Sequence, residues 1–250
     1  MSAELQVSGL SVQYGKAQAL RDVSIAAKEG SITAVVGPNG AGKSSLLLAV
    51  YGSVKSTGTV SVGGTDVSAL SSRNRAREMA IVPQGRQLFA SMTVRENLQV
   101  MADLLGLPAG TVDAALDRFP VLHERSRNLA GVLSGGEQQM LVVSRALMGD
   151  PKVLLLDETM TGLAPLIVKQ LGEVVRTLAS QGVTVLIAEP SIRSLSKLID
   201  RGYVVIRGEV IGEADSGAEL DQLLEQRMGF ESDQALAEAA AAEAAMDEAP

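Results

Sequence analysis

Eight residues constrain this chain more than any others. Gly37-Pro38-Asn39-Gly40-Ala41-Gly42-Lys43-Ser44 is a GxxxxGK[ST] loop. It follows the apolar, β-branched run Ile32-Thr33-Ala34-Val35-Val36 and leads into Ser45-Leu46-Leu47-Leu48. A strand, a glycine-rich turn and a helix in that order make a phosphate-binding loop. Glycines let the backbone wrap an anion closely, and the helix N-terminus adds a favourable dipole. The pattern places Lys43 on the β- and γ-phosphates and the Ser44 hydroxyl on Mg2+.

A second site-like pattern is Val153-Leu154-Leu155-Leu156-Asp157-Glu158. Short apolar runs of this kind are buried parallel strands, and ligands bind at their C-terminal ends. Asp157 is suited to Mg2+ and Glu158 to polarising an attacking water. A third is Leu133-Ser134-Gly135-Gly136-Glu137-Gln138-Gln139 ahead of a helical pattern. Serine, two glycines and a helix start make another phosphate-facing surface. One nucleotide does not need both grips within one subunit.

Composition narrows the chemistry further. There is no cysteine and one histidine, His123, so thiolate sites and multi-histidine metal centres are excluded. His123 is read as a plain surface residue. The net charge is −7, but the six acids between Glu231 and Glu248 carry most of it. The body is near neutral, which gives no support to a sequence-independent grip on nucleic acid. The N-terminus is too polar for a signal peptide, and no apolar run reaches the roughly 18 residues that span a bilayer.

Short strands are expected around Leu5-Val7-Gly9, Val60–Val62 and Ala80–Val82. The stretch from about 85 to 150 reads as helical, with segments at Val94–Leu105, Val112–Phe119 and Glu137–Leu147. Strands return at Val153–Leu156 and Thr184–Ile187, flanking a helix over Leu166–Leu178. Tyr203–Ile206 and Val210-Ile211 read as a hairpin, and Leu220, Leu223 and Leu224 suggest one more helix. From about Ser232 the chain is rich in Ala and Glu without an apolar face, as in a flexible tail.

The set of LSGGEQQ, the loop upstream and LLLLDE downstream resembles the ATP-binding cassette (ABC) ATPases over about residues 4–227. The resemblance implies an α/β P-loop NTPase with a RecA-like core, an antiparallel β subdomain and an all-helical insertion. It implies an ATPase domain over residues 1–230 and a tail over 231–250. The nucleotide contacts it implies run from Gly37 through Ser45, with Tyr14 stacking on adenine. Gln84 matches a glutamine that contacts Mg2+ and the attacking water. Paired head to tail, one cassette lays Ser134, Gly135, Gly136 and Glu137 over ATP held by its partner. Thr161–Pro165 matches a loop that crosses between the two.

Val82-Pro83-Gln84-Gly85-Arg86, Thr93–Leu98, Leu129-Ala130-Gly131 and Gly162–Pro165 are similar to one branch of that family. It comprises the ATP-binding subunits of branched-chain amino-acid, urea and amide importers. The resemblance implies attachment to integral permease subunits on the inner face of the cell membrane. It also implies a second cassette, a different subunit in this branch, and indirectly an extracytoplasmic solute-binding protein.

Two positions depart from the resemblance. Thr159 stands where a proline usually follows the catalytic strand. Pro190 stands where most cassettes carry a histidine that contacts the γ-phosphate. Proline has neither N–H nor side-chain donor. One missing donor costs about 10²–10³ in rate. ATP binding is therefore expected to persist while hydrolysis at this chain's own site slows. A catalytically weak cassette that completes its partner's site is the competing reading. A DNA-repair or translation ATPase is disfavoured by chain length, and a GTPase by the lack of an Asn-Lys-x-Asp motif.

Overall fold

The computed structural model describes residues 3–68 and 70–229, the side chains of 72 and 73 aside. The acidic stretch 231–250 and the tail expected there lie outside the described residues. In chain order the strands are β1 (Leu5–Tyr14), β2 (Ala17–Ala27), β3 (Ile32–Val36), β4 (Ser56–Val62) and β5 (Thr65–Asp66). They continue with β6 (Met79–Val82), β7 (Val153–Asp157), β8 (Thr184–Glu189), β9 (Arg201–Ile206) and β10 (Glu209–Ala214). The helices are α1 (Lys43–Tyr51), α2 (Ser72–Glu78), α3 (Val94–Leu105) and α4 (Thr111–Asp117). After them come α5 (Pro120–Glu124), α6 (Gly135–Ala146) and α7 (Pro165–Ser180). Residues 217–229 are also helical.

Four strands form an antiparallel sheet in the order β2-β1-β4-β5. Six form the second sheet, β10-β9-β3-β8-β7-β6, parallel throughout except for β10 at its edge. Strands β3, β7 and β8 are buried at every residue. Their mostly apolar runs follow from having both faces covered. Val153 and Leu155 point into one core with α1 and the antiparallel sheet, whereas Leu154 and Leu156 point into the other with α7. Period-two alternation thus divides one strand between two cores.

Helices α3 to α6 fill the stretch between β6 and β7. The segment expected to be helical up to Phe119 stops at Asp117 instead. Pro120 opens α5 and forces Phe119 into extended backbone, with φ −135° and ψ 106°. In β1 the expected inward residue Gly9 sits in a register shift at φ +62°, and Leu10 takes the core position. Strand β2 and helix α2 are among the elements that carried no readable sequence signal. Strand β2 is interrupted by the polar pair Arg21-Asp22, and α2 is largely polar.

Candidate nucleotide site

The parallel sheet brings the ends of β3, β6, β7 and β8 to one edge. The phosphate loop leaves β3, Gln84 follows β6, and Asp157 and Glu158 end β7. A cavity of about 310 Å³ is lined there by Tyr14, Gly40, Lys43, Ser44, Gln84 and Glu158, among others. Tyr14, the phosphate loop, Gln84 and Glu158, four separate segments of sequence, therefore meet where the expected nucleotide contacts converge.

Helix α1 has as its N-cap residue Gly42, which precedes it with φ +105° and supplies no side-chain cap. Its first N–H groups are therefore open to an anion. In contrast, α3 and α6 start with complete capping boxes from Thr93–Glu96 and Ser134–Glu137. Only glycine fits at 42, because a Cβ would lie 2.6 Å from the Ala19 carbonyl. The loop is also tied to the second sheet through the Gly208 N–H, which donates to Ala41 O at 2.9 Å.

Lys43 is 3% exposed. Its Nζ donates to Gly37 O at 2.9 Å and to Pro38 O at 3.1 Å, and lies 3.7 Å from Glu158 Oε1. Burial pulls its pKa down, and Glu158 and then Asp157 push it back up. The ammonium is thus held under the loop, braced by its carbonyls and facing the carboxylates. Tyr14 is 48% exposed at the end of β1, leaving its ring free to stack on a base.

Ser44 Oγ donates to Asp157 Oδ1 at 3.0 Å, and the Gln84 backbone N–H donates to the same carboxylate. Gln84 Nε2 donates to Glu158 Oε2 at 2.8 Å. Hydroxyl, carboxylate and amide oxygens suit Mg2+, which is typically held by one or two carboxylates plus substrate phosphates and water. Among the described residues no group of three or more His, Cys, Asp or Glu is arranged to hold a metal ion. The residues expected to hold Mg2+ are adjacent and chemically fit for it.

Glu158 itself adopts φ +47°. A left-handed conformation at a residue with a Cβ costs roughly 1–2 kcal/mol. Surrounding contacts must therefore over-determine it. The sequence reading missed one of them. Glu189, at the end of β8, is 1% exposed and accepts from Met160 N–H at 2.9 Å and from the Thr161 hydroxyl. The signal was present as an acid ending an apolar strand, the same pattern as Asp157.

Burial raises the pKa of Asp157, with Glu158 adding to the effect and the Ser44 hydrogen bond opposing it. A carboxyl whose folded pKa is raised costs stability once it must ionise. That cost is absent below the unfolded-state value and is reached in full as pH rises through the folded one. Asp157→Asn is therefore expected to melt higher at neutral pH, by ~2–4 °C for each kcal/mol recovered. The same variant is expected to lose Mg2+-dependent turnover. Calorimetry at neutral and mildly acidic pH checks the first expectation, with the gain over wild type shrinking in acid.

Ser134 and Glu137 do not line the Lys43 cavity. They face another of about 790 Å³, together with Phe119, Met140, Ile167 and Gln170. The two phosphate-facing surfaces expected from sequence are thus separate within one subunit. His123 lies exposed on α5, 2.9 Å from Asp117, and lines neither cavity. Pro190 lines a third surface with Thr161 and Gly162.

Known proteins are similar to this chain in sequence and in fold. The chain is 43% identical over 220 residues to the high-affinity branched-chain amino acid transport ATP-binding protein BraG of Pseudomonas aeruginosa, covering 86% of this chain and 94% of that protein. It is 33% identical to the lipopolysaccharide export system ATP-binding protein LptB of Haemophilus influenzae, covering 83% of this chain and 88% of that one. Its fold matches the crystal structure of a nucleotide-free ATP-binding cassette from an ABC transporter, with TM-score 0.81, 27% identity, and 90% and 96% of the two chains covered. Residues 20–161 match the ABC transporter family, and a match over more than half the chain places this protein in that family.

Proposed function

We propose that this chain is the ATP-binding and ATP-hydrolysing subunit of an ABC importer for a branched-chain amino acid or similar small polar solute. The observation that carries the reading is the likeness to BraG over nearly that protein's whole length. LptB, an export protein, is less similar, which favours uptake over export. In this reading residues 1–230 are the ATPase domain, with a helical insertion over about 85–150. Residues 231–250 are an acidic tail. Among the described residues no helix is long and apolar enough to cross a membrane. The likeness to BraG supports work from the inner membrane face on separate permease subunits.

The residues divide the work as follows. The open start of α1 and Lys43 hold the phosphates, and Tyr14 holds the base. Ser44, Asp157 and Gln84 hold Mg2+, which supplies charge neutralisation on the phosphate oxygens when bound. Glu158 takes the proton of the attacking water, and its contact with Gln84 ties that step to the loop after β6. That loop is well anchored for transmitting force. Asn97 is buried and bonds to Phe89 N–H at 2.9 Å and to the Phe89, Met92 and Thr93 carbonyls. Phe89 and Met92 stay exposed on that loop, and Leu129 and Val132 on the segment bonded to it, where Ala130 N–H donates to Met92 O at 2.8 Å and Gly131 N–H to Ala90 O at 3.0 Å, an apolar surface suited to a permease.

Pro190 favours a refinement, in which this chain's own site turns over slowly and a different, histidine-bearing cassette does most of the hydrolysis. Purifying the tagged chain from native membranes tests both ideas. Two permeases and a second, different cassette are expected to co-purify. ATPase of that complex is expected to be nearly unchanged by Glu158→Gln in this chain alone. A collapse overturns the slow-site refinement and leaves the importer reading standing. Unaltered uptake of labelled branched-chain amino acids in cells lacking the chain overturns the substrate class.

A further inference from the structure

The loop after Glu158 poses a structural problem that its own residues do not solve. Glu158 and Gly162 both have positive φ, and Thr159-Met160-Thr161 between them contains no proline to stiffen the backbone. Thr159 Oγ1 is buried and makes no hydrogen bond among the described residues. The anchors come from outside. Glu158 N–H donates to Ala188 O at 2.8 Å, Met160 N–H to Glu189 Oε1 at 2.9 Å, and the Thr161 hydroxyl to Glu189 Oε2. All three acceptors belong to the last two residues of β8.

Register explains why Glu189 reaches this loop. Asp157 pairs with Ala188, so Glu189 sits one residue beyond the end of β7. Ala188 packs into the core on the α1 side and Ile187 into the core on the α7 side. By alternation Glu189 points to the α7 side, under Met160, which belongs to that core. An apolar residue would bury more cheaply here, because burial disfavours the charged carboxylate and the acids Glu158 and Asp157 add to that, with the Lys43 ammonium acting in the opposite sense. What the carboxylate gains is two donors from the same loop.

We propose that Glu189 is a positioning residue for ATP hydrolysis, clamping Met160 and Thr161 so that Glu158 is aimed into the nucleotide cavity and Thr161–Leu163 is presented to the paired cassette. This rests on the ATPase reading above. Glu158, Thr161 and Leu163 line one surface together with Gly85, Arg86 and Gln138, so a slackened loop disturbs that whole surface. The clamp therefore affects turnover of the complex whichever of the paired sites is faster.

Three variants test the clamp. Glu189→Leu removes both acceptors at similar volume, Glu189→Gln keeps an oxygen for Met160 and an amide for Thr161, and Thr161→Val removes one bond. Hydrogen exchange at the Met160 amide reads the clamp in the full chain without nucleotide. ATP affinity of the full chain and ATPase of the membrane-derived complex read its consequence. Glu189→Leu is expected to speed Met160 exchange about tenfold and to lower ATPase about tenfold, with ATP affinity held to within about twofold. Thr161→Val is expected to fall between Glu189→Leu and wild type, and Glu189→Gln to stay close to wild type. Unchanged exchange or unchanged ATPase in Glu189→Leu overturns the proposal. So does a Glu189→Gln variant as impaired as Glu189→Leu, or ATP affinity that falls in step with turnover. A wild-type chain that binds no ATP overturns the ATPase reading instead, and Met160 exchange still decides the clamp.

Discussion

Lys43→Ala is expected to lower the ATP affinity of this chain by about 100-fold, because a charge-assisted hydrogen bond to phosphate is worth about 1.5–3 kcal/mol. Three observations point to so large an effect. The side chain is buried, so water replaces the lost donor poorly. Its ammonium is already directed by the Gly37 and Pro38 carbonyls, so little ordering is needed when phosphate arrives. It is also the cation set against Glu158, at 3.7 Å, and its loss leaves that carboxylate facing the phosphates without a counter-charge. Lys43→Arg is expected to rescue little, since a planar guanidinium does not fit the space of a buried ammonium. Titration with a fluorescent ATP analogue measures both. Affinity within a few-fold of wild type in Lys43→Ala would show that the phosphates are held by the backbone of the loop alone.

The parts of this site that were legible in the sequence are those where chemistry demands a fixed residue type at a fixed spacing. Gly42, Lys43 and Ser44 could be read because a wrapped phosphate admits few alternatives. Asp157 and Glu158 could be read because acids after an unbroken apolar run mark a strand end. Gln84 was a different case, since an isolated glutamine after a strand carries no local pattern. Its role came only from the resemblance, and the structure then placed it against both Asp157 and Glu158. Glu189 stayed hidden because its function is a tertiary contact with residues nearly thirty positions earlier.

The fold shows the same division. Strands β3, β7 and β8 announce themselves because burial on both faces leaves runs that are mostly apolar, with the acids Asp157 and Glu189 only at their ends. Strand β2 does not, because half of it faces water and Asp22 sits at φ +48° in its middle. The end of α4 was misplaced for a local reason, the restriction that Pro120 imposes on Phe119. Patterns thus identified the elements with continuous or regularly spaced apolar residues, and missed those, such as β2, whose apolar spacing is broken by a local irregularity.

Gly135→Asp separates what this chain does for its own nucleotide from what it does for a partner's. The expected result is ATPase of the complex reduced about 100-fold, since a carboxylate beside the phosphates is a like-charge contact costing several kcal/mol. ATP affinity of the isolated chain is expected to stay at the wild-type value, because Ser134 and Glu137 line a different cavity from Lys43. The substitution is also one the subunit can absorb. Gly135 opens α6, where a negative charge is favoured by the helix dipole. A Cβ there would meet the Arg86 guanidinium at 2.9 Å, the far end of a flexible side chain that can move aside. Gly136 would be a poorer choice, since a Cβ there would press on Ile167 of α7 at 2.8 Å and confuse a folding defect with a binding one. An unchanged melting temperature, unchanged ATP affinity and a large loss of ATPase together mean that the Ser134–Glu137 surface serves nucleotide held elsewhere. Loss of ATP affinity in the isolated chain would place that surface on this chain's own nucleotide and remove the need for a paired cassette.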